Sequence, residues 1–176
     1  MDIVQTVKPI RFIGKPYLAS MLDENGSLTS AWQEMTASGA LGQLDQLADN
    51  TGQEKNRTTL VVFSPYAFVA WVGALLPLDT KVPAGLNRLD LPESQAAILE
   101  ASASVPMLQL PLSSIISLAM GKIAKQGVSL PEHLGQTDKP YFLERYALDD
   151  NLETIRVKQQ VYLGQENSNG DETYLD

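Results

Sequence analysis

Residues 58–78 carry no charged side chain, and the stretch is long enough to cross a bilayer as a helix of about 20 residues. Its composition argues for another outcome. Val61, Val62, Phe63, Phe68, Val69, Trp71 and Val72 favour strands, Ser64-Pro65-Tyr66 interrupts the middle, and Pro77 closes the end. The stretch therefore reads as two buried strands, residues 58–63 and 66–76, joined by a tight turn at Ser64-Pro65. A chain built around such a pair needs other elements to cover it.

The 176 residues, 44% of them hydrophobic, suffice for one domain or two small halves sharing a core. Cysteine is absent and His133 is the single histidine, so disulfides, thiolate metal sites and multi-histidine metal sites are excluded. No metal and no cofactor are expected. The formal net charge of −8 argues against direct DNA binding, which needs a basic surface. The N-terminal residues lack the basic and apolar regions of a secretory signal, so the expected location is cytoplasmic.

In chain order, residues 9–20 read as a first strand with a bulge or bend at Gly14-Lys15-Pro16. Asp23-Glu24-Asn25-Gly26 is turn chemistry. A helix comes next, with Thr29 as a candidate N-cap and Leu28, Ala31, Trp32 and Met35 at helical spacing. Gly39 and Gly42 end or break it, Leu44 and Leu47 add at most one turn, and residues 49–56 form a polar surface connection. Trp32 on that apolar face reads as core. After the paired strands the plan restarts near Val82-Pro83-Ala84-Gly85. Residues 86–91 alternate loosely. Residues 94–101 are helix-forming by propensity but take the place of a strand. Residues 106–110 connect to a second helix that starts after Pro111, with Leu112, Ile115, Ile116, Ala119 and Ile123 as its stripe and Gly127 as its stop. Residues 141–146 and 154–163 are the last strands, the latter with Ile155, Val157, Gln159 and Val161 on one face. Residues 165–176 have the composition of a disordered acidic tail.

The order strand, helix, strand, strand occurs twice, over about residues 5–78 and 83–164. This predicts one α+β domain over residues 1–164, with two helices on one face of a sheet and a ligand groove between the halves. In residues 141–146, period-two alternation puts Phe142, Glu144 and Tyr146 on one face and Tyr141, Leu143 and Arg145 on the other. A carboxylate between two aromatic rings suits a cationic, apolar ligand. The same pattern also fits an ordinary amphipathic strand with Glu144 in water.

Val82-Pro83-Ala84-Gly85, Phe142-x-Glu144-x-Tyr146 and the closing strand in residues 155–163 together resemble the GyrI-like family, the AraC-type effector-binding domain of bacterial regulators, across about residues 5–164. The resemblance implies the doubled strand-helix-strand-strand fold, a stand-alone bacterial form without a DNA-binding domain, and broad recognition of small aromatic or cationic molecules. It also implies that Glu144 faces the groove. The Leu-rich stretch after Gly85 departs from the family pattern, so groove residues are not transferred onto residues 86–101.

Three functions are expected on these grounds. The first is a binding module with Glu144 as charge partner and Tyr17, Tyr66, Phe68, Trp71, Phe142 and Tyr146 as candidate wall residues. Tyr66 and Phe68 share one strand face and Trp71 lies on the other. Burial of Glu144 disfavours its charged form and a bound cation restores it. The second is a hydrolase of cyclopropane-type electrophiles, with Glu144 as general base on a water and Tyr146 or Tyr17 as proton donor. His133, in a loop, is a weaker catalytic candidate. The third is a protein-binding inhibitor resembling a gyrase inhibitor, for which the acidic tail would matter. Two exposed sheet edges would permit a homodimer.

Overall fold

The computed structural model describes residues 3–101 and 110–165. Residues 106–109 and the acidic tail beyond Gln165 lie outside the described residues. Eight strands form one sheet: β1 (Val4–Val7), β2 (Ile10–Leu18), β3 (Asn56–Phe63), β4 (Phe68–Leu76), β5 (Asn87–Leu91), β6 (Ser94–Ala101), β7 (Tyr141–Leu148) and β8 (Thr154–Tyr162). The helices are α1 (Thr29–Ala37), α2 (Ala40–Thr51) and α3 (Leu112–Lys125). The sheet order is β1-β6-β8-β7-β3-β4-β2-β5, with every pair antiparallel. The architecture is α+β, as the chain pattern predicts.

The order has internal symmetry. β2, β4 and β3 on one side mirror β6, β8 and β7 on the other, and the halves meet where β3 pairs with β7. The remaining strands are exchanged: β1 precedes β2 but pairs with β6, while β5 precedes β6 but pairs with β2. Only Lys8 and Pro9 join β1 to β2, and only Pro92 and Glu93 join β5 to β6. Such a connection spans about 11 Å at full stretch. Each one links an edge strand to the strand beside the opposite edge, so the sheet must curl until its edges approach.

The curl creates two apolar interiors. Inside the curl, Phe12, Leu60, Leu75, Leu91, Leu143 and Tyr162 pack together, joined by Val7 from one edge strand and Leu89 from the other. On the outer face the three helices cover Ile13, Val61, Val72, Leu76, Phe142 and Val161. Adjacent residues along a strand thus enter different cores (Phe12 and Ile13, Leu60 and Val61, Phe142 and Leu143), as the pleat requires.

Several local expectations are corrected by the structure. α2 is a full helix and not a single turn. Gly39 (φ 82°) ends α1 and starts α2, Gly42 lies inside α2, and Gly52 (φ 73°) closes it. Residues 49–51, expected as surface connection, are its last turn. Three helices rather than two therefore cover the sheet. Thr29 is the first residue of α1 and Leu28 takes the N-cap position; the Asp23 carboxylate accepts from Ser30 N–H at 3.0 Å, reaching across from the preceding turn. Hydrogen bonds from the Ser30 side chain and backbone, with one from Ser27, hold Asp23 below the usual carboxylate range. Tyr66 sits in the turn before β4, not in the strand. Ile155 is 45% exposed because a register shift after Ala147 leaves it out of the ladder.

The bulge expected at Gly14-Lys15-Pro16 is absent, since β2 pairs with β4 without a break from Arg11 to Leu18. Pro16 is tolerated because β5 stops pairing at Gly14, leaving Pro16 on an unpaired side. Gly14 faces Gly73 directly across the ladder. A Cβ on Gly14 would lie 2.1 Å from Val72 O, and one on Gly73 would lie 2.1 Å from Ile13 O. Both obstacles are backbone, so no side chain can move aside. Gly14→Ala and Gly73→Ala are each expected to cost about 2 kcal/mol or more in urea unfolding; an unchanged midpoint for either would show that the strands separate freely there.

Candidate functional site

Glu144 lies mid-strand in β7, at the seam between the halves. Its cross-strand partners are Thr59 on β3 and Gln159 on β8. It points to the helix side, between Phe142 and Tyr146, and is 2% exposed. A cleft above it is lined by Leu28 and Trp32 from the start of α1, Leu110, Leu112 and Ile115 at the start of α3, and Thr59, Phe142 and Glu144 from the sheet. The free volume is about 10 Å³, room for about one water.

Two neutral donors hold the carboxylate. Tyr146 O–H donates to Oε1 at 3.0 Å and Gln159 Nε2–H donates to Oε2 at 2.8 Å. Among the described residues no Lys or Arg forms an ion pair with it. Burial pushes the Glu144 carboxyl up from its ordinary value, against the opposing pull of Gln159 and Tyr146. The loss of hydration outweighs two hydrogen bonds because neither donor brings a charge. Burial and the adjacent Glu144 raise the Tyr146 phenol further, so it stays a neutral donor. The indole Nε1–H of Trp32 is buried without a hydrogen-bond partner among the described residues.

Of the aromatic candidates, the structure brings Phe142 and Tyr146 to Glu144. The others stand elsewhere. Tyr17 is buried on the helix side, but its lateral neighbours run Tyr17, Ala70, Val61, Phe142, which places it three strands, about 14 Å, from β7. Phe68 packs against Phe63, with ring centroids 6.4 Å apart. Trp71 is on the face inside the curl, edge-on to Phe12 at 6.0 Å. Tyr66 is fully exposed. His133 is exposed before a short 3₁₀ turn, away from the cleft. Trp32, Thr59, Leu112 and Ile115 are lining residues that spacing alone assigns to core or does not single out, because an apolar stripe looks the same whether it covers a core or walls a cleft. Alternation puts Gln159 on a face with Val157 and Val161, but its partner depends on register. Among the described residues there is no cluster suited to a metal ion, and no helix is long and apolar enough to cross a membrane.

No family model and no curated protein matches the sequence. Solved structures do match. One is SAV2435 bound to tetraphenylphosphonium, with TM-score 0.62 and 16% identity over 91% of this chain and 92% of that one. Another, from Staphylococcus aureus MU50 and named for bacterial transcription regulation, has TM-score 0.61 and 15% identity over 92% and 97%. A third is EcmrR in a DNA complex, with TM-score 0.50 and 9% identity over 92% of this chain but 56% of that longer one. At these identities the likeness is one of fold, and together with the curled, doubled sheet it identifies this chain's architecture as the GyrI-like fold.

Proposed function

We propose that the protein binds an amphipathic organic cation in the cleft above Glu144, the carboxylate neutralising the ligand's charge. The observation that carries this is a carboxylate 2% exposed, held among the described residues by neutral donors alone, under an otherwise largely apolar lining. A buried charge without a counter-charge is costly, and a cation entering the cleft offsets that cost while its apolar body covers Trp32, Phe142, Leu112 and Ile115. The SAV2435 structure with an aryl phosphonium supports the ligand class. With about 10 Å³ free, the cleft as it stands is closed, so entry requires the first turns of α1 and α3 to yield.

Tetraphenylphosphonium at a hundred times its dissociation constant should stabilise the protein by about 2.7 kcal/mol, a thermal shift of about 5–10 °C. Glu144→Gln should weaken that binding at least about tenfold, and neutral triphenylphosphine oxide should bind poorly to both proteins. Equal affinity of the variant for the cation, or equal affinity of the wild type for the neutral analogue, would contradict charge recognition.

Binding also competes with a proton. Because the free carboxyl sits above its ordinary value, cation affinity should rise with pH through the raised value and level off above it. A flat calorimetric profile would place the charge partner elsewhere.

The same substitution should stabilise the unliganded protein. A folded state that holds the Glu144 proton more tightly than the unfolded chain loses stability as pH rises from the ordinary to the raised value. Glu144→Gln removes that loss, and Gln159 can accommodate the new amide by flipping its own. The melting temperature at neutral pH should rise by about 2–4 °C per kcal/mol of charge burial relieved; a lower melting temperature would mean that the ionised carboxylate is itself a structural tie.

A further inference from the structure

Behind the cleft, on the opposite face of β7 and β8, three cationic side chains converge. Arg145 stands directly opposite Lys158 in register, and Arg156 is opposite Ala147 two residues along. Like charges directly across an antiparallel pair repel, so the arrangement opposes the sheet it belongs to. Glu54, just before β3, is the carboxylate among them. Arg156 Nη2 donates to its Oε2, and Arg145 Nη2 lies 4.0 Å from its Oε1. Lys158 is 3.9 Å from the exposed Glu100.

Glu54, Arg145, Ala147, Arg156 and Lys158 enclose a polar cavity of about 80 Å³, several times the about 10–15 Å³ that one water needs. Three positive charges and one negative charge line it, an excess of two in a chain whose net charge is −8. The Nε–H of Arg145 is buried with no acceptor among the described residues. Leaving a charged donor unsatisfied is costly, and a guanidinium matches tetrahedral oxyanions through parallel N–H donors. Burial lowers the Arg145 guanidinium from its ordinary value, Glu54 opposes this and Arg156 adds to it, so this cation would gain from a further negative neighbour.

We propose that this cavity is an oxyanion site for phosphate, free or at the end of a small phosphate ester, with Arg145, Arg156 and Lys158 as its cationic partners and Glu54 as the internal anion that competes with it. The site is separate from the cation cleft and does not depend on it.

The test is titration of the full chain with inorganic phosphate, monitored by calorimetry and by backbone amide shifts of β7 and β8, against chloride at matched ionic strength. Saturable phosphate binding with shifts at Arg145, Ala147 and Lys158 is expected. Arg145→Gln and Lys158→Gln should each weaken it at least about tenfold. Glu54→Gln should tighten it several-fold by removing the competitor. Lys158 is 43% exposed at its side chain, so its substitution keeps the test valid if Arg145→Gln fails to fold. Tighter binding of glycerol phosphate than of inorganic phosphate would assign an ester, and equal binding the free ion. Shifts no larger than those from chloride, or phosphate affinity unchanged by both cation substitutions, would overturn the proposal and leave the cluster as an internal charge network around Glu54.

Discussion

Two short connections set the shape of this protein. Lys8-Pro9 and Pro92-Glu93 each carry the chain from one edge of an eight-stranded sheet to the strand beside the other edge. Two residues cannot reach across a flat sheet of that width, so the sheet curls and the two halves exchange their outer strands. The curl gives the central strands β3, β4 and β7 two largely buried faces, one inside the curl and one beneath the helices. A polar residue in the middle of such a strand has no wet side to turn to, and it must find partners within the protein or in a ligand.

β7 carries the consequence of that constraint. Its neighbours in the sheet come from different halves, β3 from the first and β8 from the second. Glu144 and Arg145 are consecutive, so the pleat sends opposite charges to opposite faces of the central seam. On the helix side Glu144 meets Gln159, Tyr146 and an apolar cleft. On the other side Arg145 meets Lys158, Arg156 and Glu54. Neither charge is matched one to one by its surroundings. The sheet can hold both because its apolar packing, from Phe12 and Leu143 on one face to Ile13 and Phe142 on the other, is continuous on either side of the seam.

Much of this order is legible in the chain. Pro65 divides the uncharged stretch into a hairpin because proline cannot serve a central ladder. β6 spans Ser94–Ala101, where the doubled pattern demands a strand although its Ala, Gln, Leu and Glu residues favour helix; pairing with β1 and β8 overrides propensity there. α2 is hidden in the sequence because Gly39 and Gly42 resemble two stops, whereas Gly39 is a hinge between helices and Gly42 is an ordinary helical residue. The Phe142, Glu144 and Tyr146 face comes from period two alone. What period two cannot supply is which strands are neighbours. It therefore neither separates Tyr17 from the residues beside Glu144 nor names Gln159 as the partner of that carboxylate. Trp32 illustrates a further limit, since its place over Glu144 and its indole nitrogen, without a partner among the described residues, are what distinguish it from core.

The most direct measurement is the carboxyl carbon shift of Glu144, tracked by NMR across a pH titration of the free protein and of the protein saturated with tetraphenylphosphonium. The predicted titration midpoint of the free protein lies above the ordinary glutamate value, because burial dominates its two neutral hydrogen bonds. That midpoint should fall when the cation is bound, because a nearby positive charge favours the ionised form. A free midpoint at the ordinary value, or a midpoint that does not move when the cation binds, would contradict the claim that Glu144 is a buried charge awaiting a ligand.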